Sequence, residues 1–257
     1  MDIRWIKRID SAYEIANAGI QGFDGVEASL SALMELDEAG LAVYRTMLKE
    51  SKLSCEVIES ILPAEVRVTE RGFNIYSWTE YLRLAIARAS MLGCKTLVWG
   101  DGDARILPIE GETSILKEHF NQFLFMLCDI AERHGITVCV EPLGPRRTNF
   151  LNSLPEVAEA IDSIGKPNLA IALGSADIVE IGILDEELSQ YGKFIIHARV
   201  EKRRNQSGCA EGGPASESID CLPFLASLKK IAFRGTITLP GFSDGDTLRR
   251  CRDAWNA

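Results

Sequence analysis

Short runs of β-branched and other apolar residues alternate along the chain with longer stretches whose apolar positions recur every three or four residues. The first kind of run marks buried strands and the second the inner face of amphipathic helices. Strands are predicted at Ile3–Ile9, Gly25–Ser29, Ser54–Leu62, Thr96–Gly100, Ile136–Glu141, Leu169–Gly174, Phe194–Glu201 and Gly235–Pro240, and a helical pattern follows each. Alternation of this kind implies a parallel sheet whose strands are joined by helical crossovers. Eight such units in 257 residues predict an α/β chain closed into one (β/α)8 barrel, a fold that takes roughly 250 residues.

Local signals support the helices. Ser77 and Glu80 form a capping-box pattern ahead of the apolar run Tyr81–Leu92, which Gly93 ends. Ser153 and Glu156 form a second, with Pro155 tolerated in the first turn. The longest helix is predicted over Ser114–His134, where Leu116, Phe120, Leu124, Leu127 and Ala131 share a face and Gly135 supplies the stop. The aromatic stripe that includes Phe120 and Phe123 reads as core.

Composition adds limits. Apolar residues make up 46% and charged residues 25%, enough for one large core and a soluble surface. No apolar run approaches the ~20 residues of a membrane span. The opening MDIRWIKRID lacks the apolar stretch of a secretory signal. A net charge of −9 argues against nucleic acid as a partner, since phosphate binding depends on Lys and Arg. Cysteines at 55, 94, 128, 139, 209, 221 and 251 show no CxxC spacing. They read as buried thiols of a cytoplasmic protein rather than a zinc or redox motif. Residues Lys202–Glu217, KRRNQSGCAEGGPASE, form the one irregular stretch. It follows the seventh strand and reads either as a surface loop or as a lid over the mouth.

The fifth strand and its sequel read RHGITVCVEPLGPRRTNFLNSLPEVAEAID. This resembles the xylose isomerase-like TIM barrels, the sugar isomerases and epimerases in which a strand ends in Glu-Pro-Leu-Asn ahead of a Thr-Asn-Phe-Leu-Asn stretch. GFDGVEASLSAL, CEVIESILP, LVWGDGDARILP, KPNLAIAL, IIHARV and FRGTITL resemble further stretches of the family in the same order, over essentially the whole chain. The resemblance implies a substrate site at the barrel mouth. There two Glu, an Asp and a His would hold a divalent metal such as manganese, cobalt, magnesium or zinc. The two Glu would also move the proton.

Several of those positions differ here. Glu141 keeps the strand-five carboxylate, but the strand-six Asp falls on Gly174, counting from Pro167-Asn168. The family's His-x-His on strand seven reads His197-Ala198-Arg199, and the strand-eight Glu falls on Pro240. A substrate-contacting His falls on Asp177, and the Asn of Glu-Pro-Leu-Asn on Gly144. Glycine and proline offer no side-chain ligand, and an arginine repels a cation, so no metal or other cofactor is expected. Arg199 is instead expected to supply the positive charge and to pair with Glu141, with Arg146, Arg147, Arg203 and Arg204 adding to an anion- or hydroxyl-binding field.

Other polar residues carry open alternatives. Glu27 and Glu59 face either the mouth or the outer rim. Arg105 and Asn149 match family positions, and either contact substrate or brace their loops. Trp99 is a stacking wall for a sugar ring or a packed aromatic, and His197 is a substrate contact or a satisfied core residue. His119 and His134 look like ordinary surface positions. The catalytic pair is thus Glu141 and Arg199, with Glu27, Glu59, Trp99, Arg105, Asn149, Asp177 and His197 as candidate substrate contacts. The expected function is an isomerase or epimerase-like protein acting on a sugar or sugar derivative, with Asp177, Glu59 or Glu201 as a second proton carrier. The alternative is an inactive sugar- or anion-binding, regulatory barrel, and an endonuclease is disfavoured by three histidines and the acidic charge. A small carbohydrate-like partner is expected, no membrane, and association into a homo-oligomer is left open.

Overall fold

The computed structural model describes residues 3–109, 113–201 and 221–257. Its eight parallel strands close in sequence order, the first pairing with both the second and the last. They are β1 (Arg4–Arg8), β2 (Gly25–Ser29), β3 (Cys55–Glu59), β4 (Thr96–Trp99), β5 (Thr137–Val140), β6 (Leu169–Gly174), β7 (Ile195–Arg199) and β8 (Thr236–Leu239). Among the described residues the helices are α1 (Glu14–Ile20), α2 (Leu30–Glu35), α3 (Glu38–Ser51), α4 (Thr79–Met91), α5 (Thr113–Glu132), α6 (Leu154–Ile164), α7 (Ser175–Ile181), α8 (Asp185–Tyr191), α9 (Leu222–Lys230) and α10 (Gly245–Asn256). This is the predicted single-domain (β/α)8 TIM barrel. None of the described helices is long and apolar enough to cross a membrane.

The predicted strands overrun the observed ones by a residue or so at most ends. The widest difference is at the third, which stops at Glu59 because Ser60 turns the chain with φ 53°. The loop at Lys202–Glu217, with Arg203 and Arg204, lies outside the described residues.

Two apolar layers hold the barrel. Inside it, Ile6, Val57, Val98, Cys139, Ala170 and Ala172 fill the lumen, so period-two alternation aims the next inward residue of each strand at the carboxyl-end mouth. Outside it, the helices pack on the strands' other faces. Phe120, Phe123, Leu124 and Leu127 of α5 are buried as their spacing predicted.

One cap differs from expectation. Ser77 lies within a short 3-10 turn, Ile75–Trp78, that Asn74 caps by accepting from the Tyr76 N–H at 3.1 Å. With Ser77 taken into that turn it cannot stand as the N-cap, and Glu80 pairs with Arg83 at the surface. Ser153 does cap α6, accepting from the Glu156 N–H at 3.3 Å. The Glu156 carboxylate accepts from the Asn152 N–H instead of closing on Ser153.

Replacing Phe120, which packs on both Trp99 and Phe150, is expected to lower stability by about 3–5 kcal/mol for Phe120→Ala. The exposed Ile115→Ala on the same helix is expected to change it by less than about 0.5 kcal/mol. Urea unfolding of both variants checks this, and equal losses would contradict the layered core.

Candidate active site

The mouth is built on inward side chains at the carboxyl ends of neighbouring strands. Gly174 of β6 is in register with Arg199 of β7, and Arg199 with Thr238 of β8. From this corner the Arg199 guanidinium reaches across the lumen. It lies 3.2 Å from Glu27 Oε1 at β2, 3.3 Å from Glu59 Oε2 at β3 and 3.7 Å from Glu141 Oε2 just beyond β5. All four side chains are buried. Glu27 and Glu59 therefore face the mouth, and the expected pairing of Arg199 with Glu141 is one arm of a larger cluster, with Glu141 the farthest of its three partners. Arg8, at the end of β1, joins from the far side through an ion pair with Glu59.

The glycines around Glu141 give its carboxylate room. A Cβ on Gly100 would lie 2.4 Å from Glu141 Oε2. One on Gly174 would lie 2.7 Å from Glu201 Oε2, 2.8 Å from Asp177 Oδ2 and 3.4 Å from Glu141 Oε1. Three carboxyl groups thus converge on the space where the family's strand-six Asp would begin. Neither oxygen of Glu141 has a hydrogen-bond partner, and Glu201 Oε2 is likewise enclosed without one. The Glu141 backbone is braced from below, its carbonyl accepting from Arg105 Nη2 at 2.6 Å.

Asp177 sits at the edge of this cluster, accepting from the Gly144 N–H at 2.8 Å and from Arg147 Nη1 at 3.1 Å. Arg147 also donates to the Gly100 carbonyl at 3.0 Å, tying the β4 and β6 ends together. Arg146 turns outward to Glu180 at 2.9 Å. His197 lies one layer deeper, its Nδ1 2.8 Å from Thr236 Oγ1 and its Nε2 3.6 Å from Glu27 Oε2. It is buried under the cluster, with Nε2 making no hydrogen bond.

Three candidates serve the frame. Trp99 points outward, fully buried against Phe120 and Phe123, with Nε1 donating to the Asp101 carbonyl at 3.3 Å. As the neighbour of the inward Gly100 it must face the helices, so it cannot wall a sugar ring. Asn149 spends both ends of its amide on the backbone of Leu107, and Arg105 holds the Glu141 carbonyl. His134 is exposed at the end of α5 and His119 is half-buried on it. Arg8 and Asp101 were not singled out in the sequence. Arg8 was legible, since it shares its strand face with Ile6. Asp101 follows β4 in a turn, where no periodicity applies.

Charge and burial compete at each group. Burial pushes Glu27 up, but Arg199, with His197 and Thr238 facing it, holds the carboxyl down at about 2. At Glu59 burial wins over Arg199 and Arg8, and the carboxyl is raised. Glu201 is pushed up to about 7 by burial and by Glu141, and Asp101 to about 6, chiefly by burial. Asp177 is raised by burial and Glu141. Burial alone would lower Arg199, but Glu27, Glu141 and Glu59 together raise it, so it remains charged. The arrangement offers a desolvated carboxylate, a fixed guanidinium beside it, and a neighbouring carboxyl that holds a proton near neutrality. Two surface clefts, one lined by Arg45, Lys49 and Met91 and one by Trp5, Asp24 and Arg252, lie at the opposite end of the strands, away from these groups.

The chain belongs to the xylose isomerase-like TIM barrel family, whose profile matches residues 14–255. Among solved structures it is similar to a D-allulose 3-epimerase from Methylomonas sp. crystallised with D-allulose. That match has a TM-score of 0.76 and 22% identity, covering 98% of this chain and 90% of that one. A D-psicose 3-epimerase from Clostridium cellulolyticum H10, crystallised with D-tagatose, gives a TM-score of 0.80 at 13% identity, covering 98% of this chain and 99% of that one. An AP endonuclease of family 2 from Brucella melitensis gives 0.74 at 18% identity, covering 98% and 99%. At these identities the structural likenesses establish the fold. No curated protein matches the chain by sequence.

Two expectations follow from the cluster. Arg199→Met takes the cation from buried Glu27 and Glu141 and leaves Glu59 with Arg8 alone, and is expected to cost roughly 3–5 kcal/mol near pH 8. Without the cation those carboxyls take up protons in the folded state first, so the deficit is expected to shrink as pH falls toward 5. Urea unfolding at the two pH values checks both signs, and a pH-independent deficit would contradict the electrostatic reading. The second concerns Glu201. The fold holds its proton up to about pH 7, whereas the unfolded chain releases it near the ordinary 4.5. Its contribution to stability is therefore present at low pH and lost as pH rises through that window. Glu201→Gln is expected to flatten the dependence, leaving the shares of Asp101, Glu59 and Asp177, whose carboxyls are also raised. An unchanged slope would place the proton elsewhere.

Proposed function

We propose that this barrel is an isomerase or epimerase acting on a sugar or sugar derivative by proton transfer at its mouth, with Arg199 in the place of the family's divalent metal. The observation that carries the reading is Glu141, fully buried, with neither oxygen hydrogen-bonded and a fixed guanidinium 3.7 Å away. Such a carboxylate is suited to remove a proton from carbon next to a carbonyl, and the guanidinium to stabilise the charge that gathers on the oxygen.

The positions that the family gives to its metal do not fit one here. Gly174 and Pro240 supply no side-chain donor, the Gly174 slot is filled by neighbouring carboxyls, and Arg199 brings its own charge among the remaining glutamates. An added divalent cation at that point would be repelled by a guanidinium that cannot lose its proton.

Proton return has a candidate in Glu201. Glu59 is engaged by Arg8 and Arg199, and Asp177 by Gly144 and Arg147. Glu201 keeps an unpartnered oxygen beside Glu141 and a proton up to about pH 7. Glu141 acting alone would return the proton to the face it left, which gives isomerisation; Glu201 acting with it permits return from a second direction. The similar D-allulose and D-psicose 3-epimerases are ketohexose enzymes, and this supports ketoses and their derivatives as the first substrates to try.

The test is solvent exchange. Ketohexoses and 3-keto glycosides are incubated with the protein in D2O with a chelator present, and deuterium at carbon next to the carbonyl is followed by NMR. Exchange that survives the chelator and falls about 10²–10⁴-fold in Glu141→Gln is expected. Binding without exchange would favour a regulatory barrel, and exchange abolished by the chelator would overturn the role given to Arg199.

A further inference from the structure

Outside the mouth, one pair of nucleophilic side chains is left without an account. Cys221 stands immediately before α9 and Cys251 lies within α10, both buried where these two helices pack together. Their sulfurs are 2.9 Å apart. Two thiol contacts elsewhere are longer, 3.7 Å from Cys55 Sγ to the Val57 carbonyl and 3.4 Å from Cys94 Sγ to the Thr96 carbonyl. No other pair of cysteine sulfurs among the described residues comes as near.

We propose that Cys221 and Cys251 are an oxidisable pair that closes to an intramolecular disulfide, a reversible staple between the last two helices of the barrel. A disulfide holds its sulfurs about 2.0 Å apart, so closure from 2.9 Å asks for a movement of rotamer size and no rearrangement of the helices. The oxidant is a hydroperoxide, acting in two steps. One thiolate attacks the peroxide, the O–O bond breaks, and a sulfenic acid and an alcohol or water are formed. The second thiol then displaces the sulfenic oxygen as water while the S–S bond forms. In sum two thiol hydrogens leave, the sulfur pair is oxidised by two electrons and the peroxide is reduced by two.

Contact with Cys221 and burial hold the Cys251 thiol well above the usual range, and reaction follows the thiolate fraction. The staple therefore forms slowly in the intact fold and persists until a dithiol reductant opens it. It encloses the 30-residue separation between the two cysteines, including all of β8. Closing such a loop restricts the unfolded chain and stabilises the fold. Glu141, Arg199 and their partners lie inside the barrel, away from this joint, so the expected effect is on stability and not on the chemistry of the mouth.

The experiment is an oxidative titration of the reduced, purified chain with hydrogen peroxide, followed by alkylation, intact mass measurement and non-reducing peptide mapping. The expected result is loss of two hydrogens, a linked pair of peptides carrying Cys221 and Cys251, and a thermal midpoint raised by several degrees, all reversed by dithiothreitol. Cys251→Ser is expected to abolish the shift and Cys94→Ser to keep it. The wild-type map decides the matter even if the Cys251 variant folds poorly. The proposal is overturned if both cysteines remain open to alkylation after oxidation, or if Cys221 is found joined to a different cysteine.

Discussion

A guanidinium buried in the throat of a barrel has to be answered by charge, and the architecture of this mouth follows from how Arg199 is answered. Removing an ion from water costs several kcal/mol even after relaxation. A unit charge at about 4 Å recovers about 4 kcal/mol at an effective dielectric near 20. One carboxylate therefore roughly balances the cost, and three, at 3.2, 3.3 and 3.7 Å, leave Arg199 firmly ionised. Arg8 adds a second cation at Glu59; burial still raises the Glu59 carboxyl, with Glu27 and Glu141 adding to it, whereas Arg199 and His197 depress that of Glu27. Glu141 lies farthest from the guanidinium of the three and keeps both oxygens without hydrogen bonds.

Backbone choices serve that arrangement. Gly100 and Gly174 flank Glu141, and a methyl group at either would fall on a carboxylate oxygen of the cluster. Arg105 and Arg147 hold the carbonyls of Glu141 and Gly100, so the strand ends that carry the site are braced by side chains from the loops. The lumen below is apolar and closed, and His197 with Thr236 forms the floor between it and the charged layer. Preorganisation of this kind, with groups fixed before any ligand arrives, is what electrostatic stabilisation of a developing charge needs.

The barrel was legible because eight repeats of the same pattern reinforce one another, and errors of a residue at one strand end change nothing in the closure. Glu141 and Arg199 were legible through the strand-end motifs that surround them. Glu27 and Glu59 could be placed at strand ends but not turned inward, since parallel strands buried on both faces show no polar alternation that marks the lumen side. Trp99 shows the limit from the other side. Its aromatic character suggests a sugar platform, yet the alternation that puts Val98 and Gly100 inward sends it into the helix layer. Asn149 and the Ser77 cap depended on contacts with Leu107 and on a competing Asn74, which composition does not announce.

Within a family whose resemblance implies a metal at the barrel mouth, the central claim is that this chain has exchanged the ion for an arginine of its own. Calorimetric titration of the chelator-treated protein with manganese, cobalt and zinc tests it most directly. The account predicts no stoichiometric binding at the mouth, and heats that are unchanged in Glu141→Gln. One tightly bound ion per chain, lost on that substitution, would contradict it and return Glu141 to the role of a metal ligand.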